Sequence, residues 1–251
     1  MADRPKVLIL GGTAEAVALS NAAAPTFDIT YSLAGRTRAP SLPDNVAVRS
    51  GGFGGASALS AWMLARDIDL LVDATHPFAE QISINAKGAC EATGTPRLRL
   101  LRPAWEAVAD DDWHRADDIA DAARKLPALG ATAFLSVGRQ ELSAFAGLRD
   151  MKFLVRTVDP LDANPLPNAV CITGRGPFTA EQETALLQTH GIDVLVSKNA
   201  GGDATYAKIV AARQLGLPVV MIDRPPPVPG DTVDGADRAL DWMEIYRRGC
   251  L

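Results

Sequence analysis

Cysteines are scarce in this 251-residue chain, and their positions exclude the sites that cysteines usually build. The three cysteines, Cys90, Cys171 and Cys250, are odd in number and far apart, and none belongs to a CxxC pair or a Cys/His cluster. Neither a disulfide framework nor a metal site is therefore predicted. A reducing compartment suits this cysteine content, so we expect a cytoplasmic protein.

Long apolar runs and an excess of positive charge are also missing. No stretch approaches the roughly 20 apolar residues of a membrane span. The apolar run at residues 7–10 leads directly to Gly11-Gly12, unlike the longer core of a signal peptide. The net charge of −5 argues against nucleic acid as the main partner, because phosphate binding normally needs a clustered basic surface. Neither a membrane nor a nucleic acid is expected as a partner.

Aromatic residues are few, at 6%, while hydrophobic residues make up 47% and charged residues 22% of the chain, as in ordinary globular proteins. The length allows one large domain or two small ones. The sequence has no nucleophile elbow, HExxH motif, Walker lysine motif or paired-carboxylate pattern. A hydrolase or a kinase is therefore not favoured.

Short apolar runs alternate with helical patterns along the chain, which predicts an α/β fold with parallel sheets. The ten predicted strands are residues 6–10, 29–34, 46–49, 70–73, 97–101, 132–137, 152–156, 169–173, 194–197 and 219–222. The seven predicted helices are residues 14–24, 58–67, 78–93, 117–126, 179–190, 204–215 and 236–247.

Two consecutive five-strand series predict two Rossmann-like lobes, residues 1–103 and 104–251, with an active-site cleft between their strand carboxyl ends. The first lobe is expected to bind a cofactor and the second to contribute substrate binding. One continuous sheet is the alternative. The segment Pro225-Pro226-Pro227 is interpreted as a surface turn before the last helix.

Three loops of the first lobe suggest nucleotide binding. Gly11 and Gly12 permit a tight turn before a helix, which favours a pyrophosphate loop, with a turn needed only for packing as the alternative. Arg36, with Arg38 nearby, stands where an NAD-specific domain typically offers an acid, which favours NADP; a solvated arginine is the alternative. The glycines at residues 50–55 permit close approach to a ligand, or form a flexible loop.

Polar side chains follow two further strands. Asp73, Thr75 and His76 come after the fourth strand, where His76 could donate a hydrogen bond or a proton. Capping and turn formation by Asp73 and Thr75 are the structural alternative. Lys198 follows an apolar strand of the second lobe and could bind a carboxylate or supply a proton, whereas an exposed loop lysine is the default alternative.

Two arginines of the second lobe, Arg139 and Arg175, also follow predicted strands. Parallel strands would bring both guanidinium groups toward the same sheet edge. They could bind carboxylates there, and solvated arginines are the alternative.

The phrases GGTAEA, AGRTR, DATHPFA and SKNAGG, together with TYAKIVAARQLGLPVVMIDRP, resemble the precorrin-6A reductase family over nearly the whole chain. The resemblance implies reduction of a ring double bond of precorrin-6A by NADPH, which gives precorrin-6B in cobalamin biosynthesis. The hydride chemistry belongs to the cofactor, so the protein need only orient the reactants, exclude water and deliver a proton. The tetrapyrrole substrate carries many carboxylates, which arginines and lysines can bind.

Matching of motif positions assigns two sets of contacts by this resemblance. The cofactor set is Gly11, Gly12, Thr13, Gly35, Arg36, Thr75 and His76. The substrate set is Lys198, Asn199, Gly201 and Gly202, with Lys208 as a weaker candidate and Arg139 and Arg175 added from their positions after strands. The proton donor stays open between Lys198 and a bound water, with His76 third.

Two other functions remain as alternatives. A cobalt-precorrin-6A reductase of the anaerobic pathway would share the architecture, and turnover of metal-free against cobalt-containing substrate separates the two. A non-catalytic nucleotide-binding or regulatory protein would bind NADPH tightly without oxidising it beside any tetrapyrrole. The sequence does not indicate an oligomeric state.

The position of Arg36 generates a prediction about cofactor choice. A charge-assisted hydrogen bond to a phosphate contributes about 1.5–3 kcal/mol, so Arg36→Ala should weaken NADPH binding roughly 10- to 150-fold and change NADH binding little. Titration at fixed salt measures both affinities, and an Arg36→Ala/Arg38→Ala double variant tests whether Arg38 shares the phosphate. Full NADPH preference in both variants would show that the 2′-phosphate binds elsewhere.

Overall fold

The described residues form two units, each built on one parallel sheet. A computed structural model describes residues 4–35, 37–161 and 163–249. Described residues up to Pro103 and from Pro225 onward form the first unit, and Ala104–Arg224 form the second. Each sheet has six strands among the described residues.

Six strands and four helices make up the described first unit. The strands are β1 (Lys6–Leu10), β2 (Asp28–Leu33), β3 (Ala47–Ser50), β4 (Leu70–Asp73), β5 (Arg97–Leu100) and, near the end of the chain, β12 (Asp231–Val233). The helices are α1 (Ala14–Ala23), α2 (Ala56–Leu64), α3 (Glu80–Thr93) and α7 (Ala236–Arg247).

The described second unit has six strands and three α-helices. The strands are β6 (Trp113–Ala116), β7 (Thr132–Ser136), β8 (Lys152–Thr157), β9 (Ala169–Thr173), β10 (Val194–Lys198) and β11 (Val219–Ile222). The helices are α4 (Ile119–Lys125), α5 (Ala180–Thr189) and α6 (Ala207–Gln214), with 3-10 segments at Leu126–Ala128 and Arg139–Phe145. In the described part of the whole chain, every helix is too short or too polar to cross a membrane.

The strand order of both sheets is Rossmann-like. The first sheet runs β12-β5-β4-β1-β2-β3 and the second runs β6-β11-β10-β7-β8-β9, and all strand pairs are parallel. The order reverses between β1 and β4 and again between β7 and β10, and ligands of open α/β sheets bind at the strand carboxyl ends beside such a reversal. Two separate sheets confirm the predicted two-lobe α/β fold and exclude one continuous sheet.

Apolar side chains cover both faces of the first sheet. On β1, Val7 and Ile9 pack on the face that also buries Met243 of α7. The alternate residue Leu8 packs on the opposite face beside Leu59 of α2. A central parallel strand is apolar where it is buried on both faces, and the four consecutive apolar residues 7–10 made β1 recognisable from its sequence.

The last part of the chain lies in the first unit, whereas the sequence analysis assigned it to the second lobe. Strand β12 pairs with β5, with Thr232 opposite Arg99, and α7 packs against α1. Pro225 therefore begins a return of the chain to the first unit, besides preceding the last helix. The predicted division near residue 103 coincides with a change of unit.

Two short strands did not appear in the sequence analysis. Strand β6 reads Trp-His-Arg-Ala and β12 reads Asp-Thr-Val, so neither presents an apolar run. Each is an edge strand that pairs with a single neighbour, β11 or β5, among the described strands. An edge strand needs less apolar surface than a central one, so its pattern is weak.

The packing of α7 generates a prediction about stability. Met243 is fully buried in the first unit, whereas Ile245 on the same helix is 45% exposed. Met243→Ala should lower the free energy of unfolding by about 2–5 kcal/mol, because it leaves a cavity in the core. Ile245→Ala, the matched control, should change it by about 0.5 kcal/mol or less. Chemical denaturation measures both, and equal small effects would show that α7 contributes little to the unit.

Candidate functional site

The loop after β1 is shaped by Tyr31, a fully buried residue of β2. A Cβ added at Gly11 would lie 2.1 Å from the Tyr31 Cζ, so the packing of this ring requires a glycine. Gly12 has φ +115°, and its N–H donates to the Tyr31 hydroxyl oxygen at a distance of 3.0 Å. Burial raises the pKa of Tyr31, although the Gly12 bond opposes that shift. The ring holds both glycines of the predicted pyrophosphate loop.

Thr13 connects this loop to the loop that follows β4. As N-cap of α1, its hydroxyl accepts the Ala16 N–H at 3.1 Å and donates to the Ala74 carbonyl at 2.9 Å. Because β1 and β4 flank the reversal of strand order, the Thr13 hydroxyl joins the two loops at that point. The N-terminus of α1, which favours anions, is thereby fixed at the sheet's carboxyl edge.

Asp73, Thr75 and Arg99 form a buried polar cluster beside Thr13. The Asp73 Oδ1 accepts the Thr75 hydroxyl at 2.7 Å and the Thr75 N–H at 3.2 Å. The Arg99 Nη1 lies 3.7 Å from the Asp73 Oδ2, and both side chains are at least 95% buried. The predicted local turn of Asp73 and Thr75 is present, and it orients the Thr75 side chain.

His76 begins the turn that precedes α3. Its Nδ1 accepts the Phe78 N–H at 3.2 Å, and its carbonyl accepts the Ala79 N–H at 2.8 Å. An Nδ1 that accepts a hydrogen bond leaves the proton of a neutral imidazole on Nε2. This turn delays the helix, which begins at Glu80 rather than at the predicted residue 78.

A crevice of the first unit opens at this edge, and its walls come from the loops after β1, β4 and β5. Glu15 and Arg102 close one side, with the Arg102 Nη1 donating to the Glu15 Oε2 at 2.9 Å. The lining residues are Thr13, Glu15, Thr75, Pro77, Leu100, Leu101 and Arg102. The structure therefore brings Thr13 and Thr75 of the predicted cofactor set together.

The loops after β2 and β3 lie side by side. The Gly51 N–H donates to the Leu33 carbonyl at 2.9 Å. Gly35 has φ +74°, and a Cβ there would lie 2.9 Å from the Ser50 Oγ. Arg36, the predicted 2′-phosphate residue, lies outside the described residues.

In the second unit, Lys198 forms an ion pair that the sequence analysis did not anticipate. Lys198 is the last residue of β10, and its Nζ contacts the Glu141 Oε1. The Glu141 Oε2 accepts the Gly138 N–H at 2.8 Å. Glu141 thus connects the loops after β7 and β10 at the second reversal of strand order. Glu141 and Lys198 are 57 positions apart in the chain, so no local pattern in the sequence indicated that they pair.

Asn199 is buried, and its side chain pairs with the backbone of Trp105. The Asn199 Oδ1 accepts the Trp105 N–H at 2.8 Å, and its Nδ2 donates to the Trp105 carbonyl at 2.9 Å. The Trp105 indole N–H donates to the Gly202 carbonyl at 2.8 Å. Trp105 therefore holds both ends of the glycine turn, and the Asn199 amide is engaged in that support.

Lys208 is also buried, at 3% exposure. Its Nζ donates to the Thr205 carbonyl at 2.8 Å and lies 5.0 Å from the centroid of the Trp105 ring. Gly201 and Gly202 have φ near +70°, as required by the turn between β10 and α6. Lys208 therefore contacts the same Trp105 ring that donates a hydrogen bond to the Gly202 carbonyl.

Arg139 and Arg175 are both exposed and follow β7 and β9. They lie with Lys198 on the carboxyl side of one parallel sheet, as predicted from strand order. The sequence analysis missed Tyr31, Trp105 and Glu141. Their roles depend on contacts between residues distant in the chain.

Comparisons with known proteins cover almost the whole chain. A family model described as precorrin-6x reductase CbiJ/CobK matches residues 6–244. A precorrin-6A reductase of Rhodococcus erythropolis is 49% identical over 246 residues, which are 97% of this chain and 99% of the relative. A cobalt-precorrin-6A reductase of Priestia megaterium is 30% identical over 232 residues, which cover 87% of this chain and 90% of the relative.

Among solved structures, a CobK precorrin-6A reductase has a TM-score of 0.91 and 40% sequence identity to this chain. The match covers 96% of this chain and 97% of that protein.

The contact between Gly11 and Tyr31 generates a prediction. Gly11→Ala should destabilise the protein by about 1–3 kcal/mol, because the added methyl group overlaps a ring that is fully buried. Gly52→Ala is the matched control, since a Cβ there would meet nothing within 4 Å. Denaturant unfolding compares the two variants. Equal stability of both would mean that the Tyr31 ring moves freely, and the packing requirement at Gly11 would be wrong.

Proposed function

Since this chain belongs to the precorrin-6x reductase family, we propose that it reduces a ring double bond of precorrin-6A with NADPH and forms precorrin-6B. Its activity is that of an oxidoreductase acting on a CH–CH bond in cobalamin biosynthesis. The tetrapyrrole is its substrate. The choice of NADPH and the residues that bind each reactant are proposals. We assign the reaction to the cytoplasm because the cysteine content suits a reducing compartment.

The observation that carries the cofactor proposal is the Gly11-Gly12-Thr13 loop at the reversal of strand order. A Cβ at Gly12 would meet nothing within 4 Å, so the backbone is open there to a close ligand. The loop leads into the N-terminus of α1, where partial positive charge suits a pyrophosphate. These residues fit a dinucleotide, which supplies the hydride when bound.

Thr75 and His76 are proposed to contact the cofactor near its reactive end. Asp73 fixes the Thr75 hydroxyl as a donor, so the lone pairs of the hydroxyl oxygen remain available to accept. With Nδ1 accepting the Phe78 N–H, a neutral imidazole at His76 would carry its proton on Nε2, and this N–H is the donor that we propose. Both side chains can orient the carboxamide of the nicotinamide ring by hydrogen bonds, and such orientation of a reactant raises the rate of the chemical step.

The substrate proposal rests on basic side chains at the carboxyl side of the second sheet. Lys198, Arg139 and Arg175 are suited to the carboxylates of the macrocycle. Gly201 and Gly202 would let the ring approach the backbone. Asn199 and Lys208 are proposed to stabilise this site, because the Asn199 side chain bonds the backbone of Trp105 and the Lys208 ammonium donates to the Thr205 carbonyl.

Lys198 and a bound water are the competing candidates for the proton donor, and His76 is third. The Lys198 ammonium group contacts Glu141, which holds the side chain at the end of β10. A positioned ammonium can bind a carboxylate or transfer a proton to the carbon beside the one that receives hydride.

Metal-free precorrin-6A is favoured over its cobalt complex by the comparisons. A precorrin-6A reductase of Sinorhizobium sp is 43% identical to this chain, whereas a cobalt-precorrin-6A reductase of Salmonella typhimurium is 28% identical. Each of these matches covers at least 90% of the chain and of the relative.

A turnover assay tests the proposed function. The purified protein is mixed with precorrin-6A and NADPH, and the loss of NADPH absorbance is followed together with the spectrum of the tetrapyrrole. Equimolar oxidation of NADPH and conversion to precorrin-6B are expected. Binding of NADPH with no oxidation beside either the metal-free or the cobalt-containing substrate would instead indicate a non-catalytic nucleotide-binding protein.

Lys198 generates a prediction about kinetics. Lys198→Ala should lower kcat/KM for precorrin-6A roughly 10-fold or more, because it removes a charged hydrogen-bond donor, and NADPH affinity should stay nearly unchanged. Lys152→Ala is the control, since Lys152 is an exposed lysine at the opposite end of the same sheet, where β8 begins. An increase in KM alone would indicate carboxylate binding, whereas a fall in kcat would indicate a role in the transition state. Normal turnover would remove Lys198 from the mechanism.

A further inference from the structure

Arg49 occupies the sheet edge beside the loop that follows β2. It is the third residue of β3 and lies opposite Ser32 of β2 in the parallel register. In a Rossmann-like unit with the pyrophosphate at the loop after β1, the adenosine ribose lies beyond the end of β2. If the proposed function is correct, Arg49 is therefore close to the 2′ position of the ribose.

The guanidinium group of Arg49 is fixed by three contacts. Its Nη1 donates to the Ser32 Oγ at 2.8 Å, and its Nη2 donates to the Gly52 carbonyl at 3.3 Å. Its Cζ lies 3.8 Å from the centroid of the Phe53 ring, so the charged group stacks on this aromatic side chain. A side chain held in this way loses little conformational freedom when it binds a ligand.

The positive charge of Arg49 has no carboxylate partner within 4.0 Å in the described part of the chain. A second guanidinium group, that of Arg66, stacks on Trp62 at 4.4 Å, and Arg49 lies 5.7 Å from the same ring. Burial and the charge of Arg66 lower the pKa of Arg49. Two neighbouring cations without a described counter-ion favour the binding of an anion.

The surrounding loop leaves room for such an anion. A Cβ at Gly51 or Gly52 would meet nothing within 4 Å, so the backbone of the loop after β3 faces open space. Phe53 packs edge-on against Trp62, with ring centroids 5.5 Å apart, and this contact anchors the loop at its centre. The glycines at residues 50–55 therefore form an open rim around a fixed arginine.

We propose that Arg49, stacked on Phe53, binds the 2′-phosphate of NADPH and sets the preference for NADPH over NADH. This inference rests on the proposed function, because it requires a dinucleotide on the first unit. It assigns the phosphate to the end of β3, in addition to the loop after β2 that contains Arg36. A planar guanidinium group suits a phosphate because it can donate two parallel hydrogen bonds.

Two nucleotide fragments test this assignment without turnover. Calorimetric titration at fixed salt compares 2′,5′-ADP, which carries the phosphate, with 5′-ADP, which lacks it. Wild-type protein should prefer 2′,5′-ADP. Arg49→Gln should weaken 2′,5′-ADP binding roughly 10- to 150-fold and leave 5′-ADP binding nearly unchanged. Arg238→Gln is the matched control, because it removes an exposed arginine of the first unit that lies on α7 and pairs with Asp234, and it should leave the preference nearly unchanged.

Arg49→Lys supplies a second variant if Arg49→Gln is unstable, and thermal unfolding of each variant is recorded. The lysine keeps the charge but lacks the planar fork, so part of the preference for 2′,5′-ADP should remain. An equal loss of both fragments would show that Arg49 only supports the loop, and an unchanged preference would place the phosphate elsewhere. Either result overturns the assignment. Wild-type protein that binds 5′-ADP as tightly as 2′,5′-ADP would instead contradict the proposed NADPH dependence itself.

Discussion

The reversal of strand order in each sheet is the constraint on which the candidate sites depend. The connection that follows β1 leads toward β2 on one side of the sheet, and the connection that follows β4 leads toward β5 on the other side. The same holds for β7 and β10, so the loops after these strands separate at the carboxyl edge. The backbone groups at such a point lack a neighbouring connection that would cover them. Every proposed ligand contact then depends on what holds these separated loops in place.

Side chains that reach across each reversal supply this support. In the first unit, Thr13 joins the loop after β1 to Ala74. In the second unit, Glu141 joins the loop after β7 to Lys198. These contacts within the protein hold the loops in place, so less conformational entropy would be lost when reactants bind. The two units thus meet the same topological constraint with different chemistry, a neutral hydroxyl in one and an ion pair in the other.

The sequence predicted what local patterns encode and missed what distant contacts decide. Central strands such as β1 were recognisable because burial on both faces gives them a continuous apolar run, here residues 7–10. The edge strands β6 and β12 carry no such pattern, so the return of the chain at Pro225 was not predicted. Lys198 was identified because it directly follows an apolar strand. Its partner Glu141 was not identified, because 57 residues separate the two.

The charges of the described residues show why an acidic chain can serve a substrate that carries many carboxylates. The net charge is −5, but several carboxylates are buried in ion pairs with arginines. Asp73 and Glu183, for example, are at least 99% buried beside Arg99 and Arg156. At physiological salt, exposed charges act over about 8 Å, so an approaching carboxylate senses the nearest groups rather than the total. On the second sheet's carboxyl side those groups include Arg139 and Arg175. Association of the tetrapyrrole with this edge, as proposed, would therefore depend on the local arrangement of charge there.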